Sequence, residues 1–136
     1  MALLESIAVV THLLFAGLWT GSVAYAAAIV VDADRLGSDG RSLVADRLRS
    51  ISRTSAVFVF LSGGYLSMGY AGEYFTSTTR GWLLGVMVVL WLVLMVVVEI
   101  GASRLVDGSE RARGAFLLAS LVAVLLLVDA GLVSVL

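Results

Sequence analysis

The chain has 136 residues, 60% of them hydrophobic, and a mean hydropathy of +1.04. Soluble domains are usually about 45–50% apolar, so this composition excludes an ordinary soluble domain and predicts that lipid covers much of the surface. A net charge of −1, with arginine scattered among aspartate, gives no basic patch for nucleic acid. The absence of cysteine excludes disulfides, thiolate metal sites and cysteine nucleophiles.

Four apolar segments are long enough to cross about 30 Å of hydrocarbon as helices. We place them at about 7–31, 52–71, 81–99 and 114–136. A membrane β-barrel is excluded, because it needs at least about eight strands of alternating polarity. The predicted fold is therefore all-α: a single membrane domain, residues 1–136, built as an up-down bundle of four transmembrane helices.

Arginine is unevenly distributed among the three connections between these segments. Eight of the nine cationic residues lie in the first and third connections: Arg35, Arg41, Arg47, Arg49, Arg53, Arg104, Arg111 and Arg113. The middle connection has only Arg80, at its edge. Short arginine-rich loops stay on the cytoplasmic side. We therefore expect a multi-pass protein of the plasma membrane, with both termini and the middle loop outside.

Two further features belong to the arginine-rich side. Val44, Leu48 and Ile51 recur at helical spacing, which predicts a short interfacial helix at about 42–51 leading into the second span. A solvated linker is the alternative interpretation of this segment. Glu99 ends the predicted third span, and we expect it to form a salt link with a basic loop.

The first span carries a ridge of small residues and, beside it, two larger polar rings. Gly17, Gly21, Ala24 and Ala28 follow one side of the helix, a pattern that lets another helix come close. His12 and Trp19 lie on a neighbouring stripe about two turns apart. The ridge predicts close helix packing, whereas one of the two rings, His12 or Trp19, could have a chemical role.

His12 is the only histidine, and an ionisable ring inside a span normally faces the bundle. Counting along the helices at about 1.5 Å per residue places both His12 and Asp129 about 10 Å below the outer surface. We hypothesise that Asp129 accepts a hydrogen bond from one nitrogen of His12 and leaves the other nitrogen for a metal or a haem iron. The alternatives are a histidine that only packs and an aspartate that reaches the headgroups.

Two methionines extend this outer layer: Met68 near the end of the second span and Met87 in the third. Their thioethers could join His12 in holding Cu(I), or one could be the sixth ligand of a haem iron. Packing is the usual role of methionine in an apolar helix. The predicted cofactor-binding residues are therefore His12, Met68 and Met87, with Asp129 and Trp19 supporting them.

Short motifs in three helices resemble one membrane family. HLLFAGLWTGS, residues 12–22, resembles the first-helix signature of CopD-like and HemJ-like proteins, in which a histidine precedes a tryptophan-x-glycine element. RTSAVFVFLSGGY, residues 53–65, resembles their second helix, where an arginine precedes an apolar run that closes in Ser-Gly. WLLGVMVVLWL, residues 82–92, is similar in placement to their third helix. The resemblance covers most of the chain.

This resemblance implies two activities for one scaffold. CopD-like proteins are associated with copper uptake, and HemJ-like proteins bind haem b and oxidise protoporphyrinogen. His12 is the functional position that transfers directly. The family commonly has a lysine in the third helix, where this chain has Gly85 and no lysine anywhere. That departure counts against an enzyme of the HemJ type, and a lone histidine weakens a multi-histidine copper route.

The leading interpretation is a CopD-like membrane protein with a haem b or copper site in the outer half of the bundle, centred on His12. One alternative is a cofactor-free accessory or structural subunit of a larger membrane complex. Another is a small transporter that works as an oligomer. The expected partners are the lipid bilayer and either a second copy or a larger membrane complex.

Overall fold

The computed structural model describes residues 2–70 and 72–136. These residues form five helices and no strand: α1 Ala2–Val30, α2 Ala33–Ser67, α3 Tyr74–Ser77, α4 Thr79–Val106 and α5 Arg111–Val135. The prediction of an all-α fold is confirmed. Ala71, the predicted last residue of the second span, lies outside the described residues.

The four long helices form a ring. α1 and α4 each pack against both α2 and α5. Along α1 and α2, His12 meets Ser62 and Trp19 meets Ser52, so these neighbours run antiparallel. The arginine-rich end of the bundle comprises residues 30–53 and 99–113, and the terminal end comprises residues 2–8, 68–78 and 129–136, with Ala71 left out. Every long helix therefore connects these two ends.

Three helices are long and apolar enough to cross a membrane: α1, α4 and α5. The predicted second span, in α2, is not among them. The reason lies in the first half of α2, which carries Arg41, Arg47, Arg49 and Arg53, so that its continuous apolar part begins only after Thr54. Charge rather than length separates α2 from the other three long helices.

α2 bends at Gly37, whose φ of 64° and ψ of 177° lie outside the helical region and suit a residue without a side chain. Residues 38–67 then form one continuous helix. Residues 42–51, predicted as a short interfacial helix leading into the second span, are helical and continuous with the rest of α2. The physical reason is packing, because Ala45 and Leu48 are buried in the same core as the apolar helices.

In the core, large side chains from different helices meet. Trp19 of α1, Leu94 of α4 and Phe116 of α5 are all buried, with at most 2% of each exposed. Elsewhere, buried alanines allow the helices to approach closely: Ala26, Ala102, Ala119 and Ala123. At Gly101 of α4, an added Cβ would lie 3.1 Å from the Phe116 ring. The absence of a side chain there lets α4 and α5 pack around Phe116.

The outside of the ring is strongly apolar. Long aliphatic and aromatic side chains are exposed on all four long helices, among them Leu14, Val57, Phe60, Val89, Leu92, Leu121 and Leu127. Soluble proteins rarely expose contiguous apolar surface of this extent. The exposed faces therefore suit lipid.

We predict that Gly101→Leu destabilises the bundle, because the new side chain would collide with Phe116. Overpacking of this kind costs about 1–3 kcal/mol. Gly85→Leu on the same helix is the matched control, since nothing lies within 4 Å of its added Cβ. Thermal unfolding in detergent, followed by circular dichroism, should show a lower midpoint for Gly101→Leu than for Gly85→Leu. Equal midpoints would contradict the packing described for α4 and α5.

Candidate functional site

His12 is half-buried on α1 and contacts α2 through its Nδ1 atom. Nδ1 lies 3.2 Å from the Val59 carbonyl oxygen and 3.1 Å from Ser62 Oγ. A carbonyl oxygen can only accept, so Nδ1 must carry the proton in this hydrogen bond. Ser62 Oγ donates its own proton to the Phe58 carbonyl oxygen at 2.6 Å, which leaves it free to accept from Nδ1. In the neutral ring, Nε2 therefore keeps its lone pair.

Gly63 makes this close contact between α1 and α2 feasible. An added Cβ at this position would lie 3.1 Å from His12 Cε1 and 3.4 Å from Nδ1, both tighter than ordinary contact. At the neighbouring Gly64, nothing lies within 4 Å of an added Cβ. Gly63 therefore packs directly against the imidazole, whereas Gly64 does not contact it.

Asp129 is the most deeply buried acidic side chain among the described residues, with 5% of its surface exposed. It follows Val122 and Leu126 on the interior face of α5. Its Oδ2 atom has no hydrogen-bond partner among the described residues. An ionised carboxylate inside a span is expensive unless a cation or donors compensate it.

Contacts between neighbouring helices place Asp129 close to the level of His12. His12 meets Ser62 of α2, the Trp91 indole of α4 donates to the Ala56 carbonyl oxygen, and Gly101 of α4 meets Phe116 of α5. Counted through these antiparallel contacts at about 1.5 Å per residue, the depths of the two side chains differ by roughly 5 Å. The described hydrogen bonds nevertheless include none between them, because Nδ1 of His12 bonds to α2 instead.

Trp19 lies about 10 Å further along α1 than His12. It is 2% exposed, and its Nε1 atom donates to Ser52 Oγ of α2 at 2.8 Å. Ser52 is itself buried, with 1% exposed. Trp19 thus joins α1 to α2 below the histidine, and this hydrogen bond satisfies its one polar atom.

The two methionines occupy different surroundings. Met68 directly follows α2 and is 80% exposed, about 9 Å beyond Ser62 along the helix axis. Met87 is half-buried on α4, which packs on α2 and α5. Their role as ligands stays a prediction.

The donor set near His12 is small. The described residues include no group of three or more histidine, aspartate or glutamate side chains that could hold a metal ion. Further ligands for a metal at His12 would therefore come from a thioether, from Asp129 or from a second copy of the chain. A haem iron needs only one or two axial ligands from the protein, so a single imidazole fits this chemistry.

The ridge of small residues faces outward. Gly17, Gly21, Ala24 and Ala28 are all exposed, and an added Cβ at either glycine would meet nothing within 4 Å. α1 instead packs within the chain through another face, which includes Val23, Ala26 and Ala27. Any helix that the ridge admits must therefore come from outside this chain.

The arginine-rich end holds an ion-pair cluster between α2 and α4. Arg53 donates twice to the Glu99 carboxylate, at 2.7 and 3.1 Å. Arg49 Nε lies 3.3 Å from Glu99 Oε2, near enough for an ion pair although its N–H is not aligned for a hydrogen bond. Arg49 Nη2 donates to Ser103 Oγ at 2.7 Å. The salt link expected for Glu99 is confirmed, and it joins two helices that sequence spacing alone could not pair.

No protein-family model, no curated protein and no solved structure matches the chain.

We predict that the neutral His12 ring carries its proton on Nδ1 and leaves Nε2 bare. Nitrogen-15 NMR of histidine-labelled protein reports this directly, since the chain has one histidine. Ser62→Ala should leave the tautomer unchanged, because the Val59 carbonyl oxygen still accepts from Nδ1. A neutral ring protonated on Nε2 would contradict the hydrogen bonding described here.

Proposed function

We propose that the chain is an integral membrane protein of CopD-like type that binds a haem b or a copper ion through Nε2 of His12. The observation that supports this most is the hydrogen bond from Nδ1 to the Val59 carbonyl oxygen. Metal-binding histidines usually donate their other ring N–H to such an acceptor, which fixes the tautomer and the ring orientation. In this chain the Val59 carbonyl oxygen is that acceptor, and the hydrogen bond is present without a bound metal.

The two cofactors place different demands on the protein. A copper ion needs soft or nitrogen donors, and His12 with Met87 or Met68 would provide them. A haem needs room for its macrocycle, whereas the core between the helices is filled by side chains such as Trp19, Leu94 and Phe116. A haem would therefore lie against an apolar outer face or between two copies of the chain, and His12 would hold it there. Bound haem would supply one-electron redox chemistry.

We further propose that α2 crosses the membrane with the other three helices, giving four spans with both termini outside. Two observations support this. α2 lies in the ring between α1 and α4, and its second half exposes apolar side chains that suit lipid: Val57, Phe58, Phe60 and Leu61. Eight arginines gather at one end of the bundle, which favours the cytoplasmic side for that end. The plasma membrane is the proposed location.

The exposed small-residue ridge favours a second candidate function. A helix from another protein could pack closely against Gly17 and Gly21, as an accessory subunit of a larger membrane complex requires. A second copy of the chain could use the same surface, which an oligomeric transporter would need. The geometry of His12 favours the cofactor-binding function over both.

Metal analysis and a visible spectrum of protein purified from its native membrane test the cofactor. We expect either a Soret band or bound copper, and we expect His12→Ala to abolish it. Gly63→Val should weaken binding by about 10–100-fold, the usual effect of disturbing the group that orients a metal-binding histidine. The matched control is Gly64→Val, whose side chain meets open space and should leave binding unchanged.

Two results would contradict the cofactor proposal. One is a fully folded preparation free of both haem and copper, especially if it purifies with a larger partner in fixed stoichiometry, which would favour the accessory subunit. The other is binding that survives His12→Ala, which would place the cofactor elsewhere.

Single cysteines in this cysteine-free chain test the topology. Ser77 and Ser38 are both exposed, at the terminal and arginine-rich ends respectively. A membrane-impermeant thiol reagent should label Ser77→Cys in intact cells, and Ser38→Cys only after permeabilisation. The reverse pattern would contradict the proposed orientation. Labelling of both positions in intact cells would contradict the proposal that α2 crosses the membrane between residues 38 and 77.

A further inference from the structure

A polar recess lies on α2 at the arginine-rich end of the bundle. It has a volume of about 360 Å³ and is lined by Asp46, Arg49, Ser50, Arg53 and Thr54. Ligand pockets usually measure about 300–1,000 Å³, so the recess has room for a small polar group. His12 contacts α2 at Ser62, about 12 Å or more from this recess along the helix axis. The recess is therefore separate from the cofactor proposed at His12.

The recess holds more positive charge than its salt bridges compensate. Arg49 and Arg53 both pair with Glu99, so one carboxylate serves two guanidinium groups. The Arg53 side chain is 65% exposed and uses two of its N–H groups on Glu99. A guanidinium has further N–H groups, and they suit a phosphate, which arginine binds through paired hydrogen bonds. The exposed hydroxyl groups of Ser50 and Thr54 are additional donors.

Asp46 gives the same recess a negative charge. It is exposed and lies one turn of helix before Arg49 and Ser50. The Arg49 guanidinium pairs with Glu99 and Ser103 of α4 rather than with Asp46. A purely anionic ligand would be repelled by the Asp46 carboxylate. A ligand that carries both a phosphate and an ammonium group meets a partner for each charge.

The position of the recess indicates that this ligand is a lipid. Ser50 and Thr54 are followed on the same face of α2 by Val57 and Leu61, which lie three and seven residues beyond Thr54. Val57 and Leu61 are 55% and 60% exposed. This face therefore changes from polar to apolar just after Thr54, as a bilayer does between its headgroups and its hydrocarbon. A headgroup in the recess would have its acyl chains along Val57 and Leu61.

We propose that this recess binds the headgroup of a phospholipid with a primary amine, namely phosphatidylethanolamine. Arg53 holds the phosphate together with the hydroxyl groups of Ser50 and Thr54, and Asp46 accepts hydrogen bonds from the ammonium group. The inference rests on the proposed crossing of the membrane by α2, which puts the recess at the depth of the headgroups. It does not depend on a cofactor at His12.

Native mass spectrometry of delipidated protein in detergent tests the choice of headgroup. The probes are the dioleoyl forms of phosphatidylethanolamine, phosphatidylcholine and phosphatidylglycerol, which share their acyl chains and phosphate. We expect phosphatidylethanolamine to bind about two- to fivefold more tightly than either of the others, the usual size of an exposed ion pair. Phosphatidylglycerol has no cation for Asp46, and the methylated amine of phosphatidylcholine has no N–H to donate. Equal affinities, or tightest binding of phosphatidylglycerol, would overturn the proposal.

Two variants with matched controls test the assigned residues. Asp46→Asn keeps the shape of the side chain and should abolish the preference for phosphatidylethanolamine, whereas Asp39→Asn, about 10 Å away along α2, should retain it. Arg53→Gln should weaken all three lipids about two- to fivefold, because they share the phosphate. Arg47→Gln, which lies outside the recess, should not. If Arg53→Gln fails to fold, Asp46→Asn decides, and an unchanged preference in that variant would overturn the proposal.

Glycerophosphoethanolamine, the headgroup without acyl chains, separates a lipid from a soluble ligand. Burial of even two methylene groups strengthens binding by roughly tenfold, so this probe should bind at least about tenfold more weakly than the lipid. Equal binding would overturn the assignment to a lipid. Thiol labelling of Ser38→Cys and Ser77→Cys distinguishes the two proposals. Labelling of both positions in intact cells would overturn the crossing of α2 and the lipid site with it, whereas the expected labelling without a headgroup preference would overturn the lipid site alone.

Discussion

The close approach of the His12 ring to the α2 backbone at Gly63 is the contact on which the rest of the site depends. It brings Nδ1 to the Val59 carbonyl oxygen and to Ser62 Oγ, and so decides which nitrogen carries the proton. Inside an apolar bundle, a ring nitrogen without a protein partner finds no replacement in lipid. The availability of Nε2 is therefore a consequence of how α1 packs on α2, rather than a separate feature.

α2, the least apolar of the long helices, satisfies polar atoms that its neighbours present. Its Ser52 accepts from Trp19, its Ser62 accepts from His12, and its Arg53 pairs with Glu99 of α4. Each of these groups satisfies a polar atom presented by a neighbouring helix. The polar residues of α2 that bond to α1 and α4 also make α2 less apolar than these two neighbours. Hydropathy measured over whole helices therefore identifies α1, α4 and α5 as candidate membrane spans, but not α2.

Much of this fold could be predicted from composition and apolar length, whereas the contacts could not. The helical class follows from apolar length, and the position of Glu99 at the end of a span follows from spacing along one helix. The partners of His12 do not, because they depend on which faces of α1 and α2 meet. A helix at residues 42–51 could be predicted from spacing, but its packing into the core through Ala45 and Leu48 could not, because burial is a tertiary effect. The ridge at Gly17 and Gly21 predicts close packing but not whether the other helix belongs to the same chain.

The exposed ridge on α1 and the buried carboxyl group of Asp129 on α5 have different meanings. The exposed ridge is an apolar surface that lipid covers at little expense, so it does not by itself demand a partner. The buried Oδ2 of Asp129 has no such substitute, because lipid tails cannot donate a hydrogen bond to it. Of these two features, the carboxyl group is the stronger indication of a bound species. Asp129 and His12 both lie in the terminal half of the bundle, which is therefore the region where chemistry is to be sought.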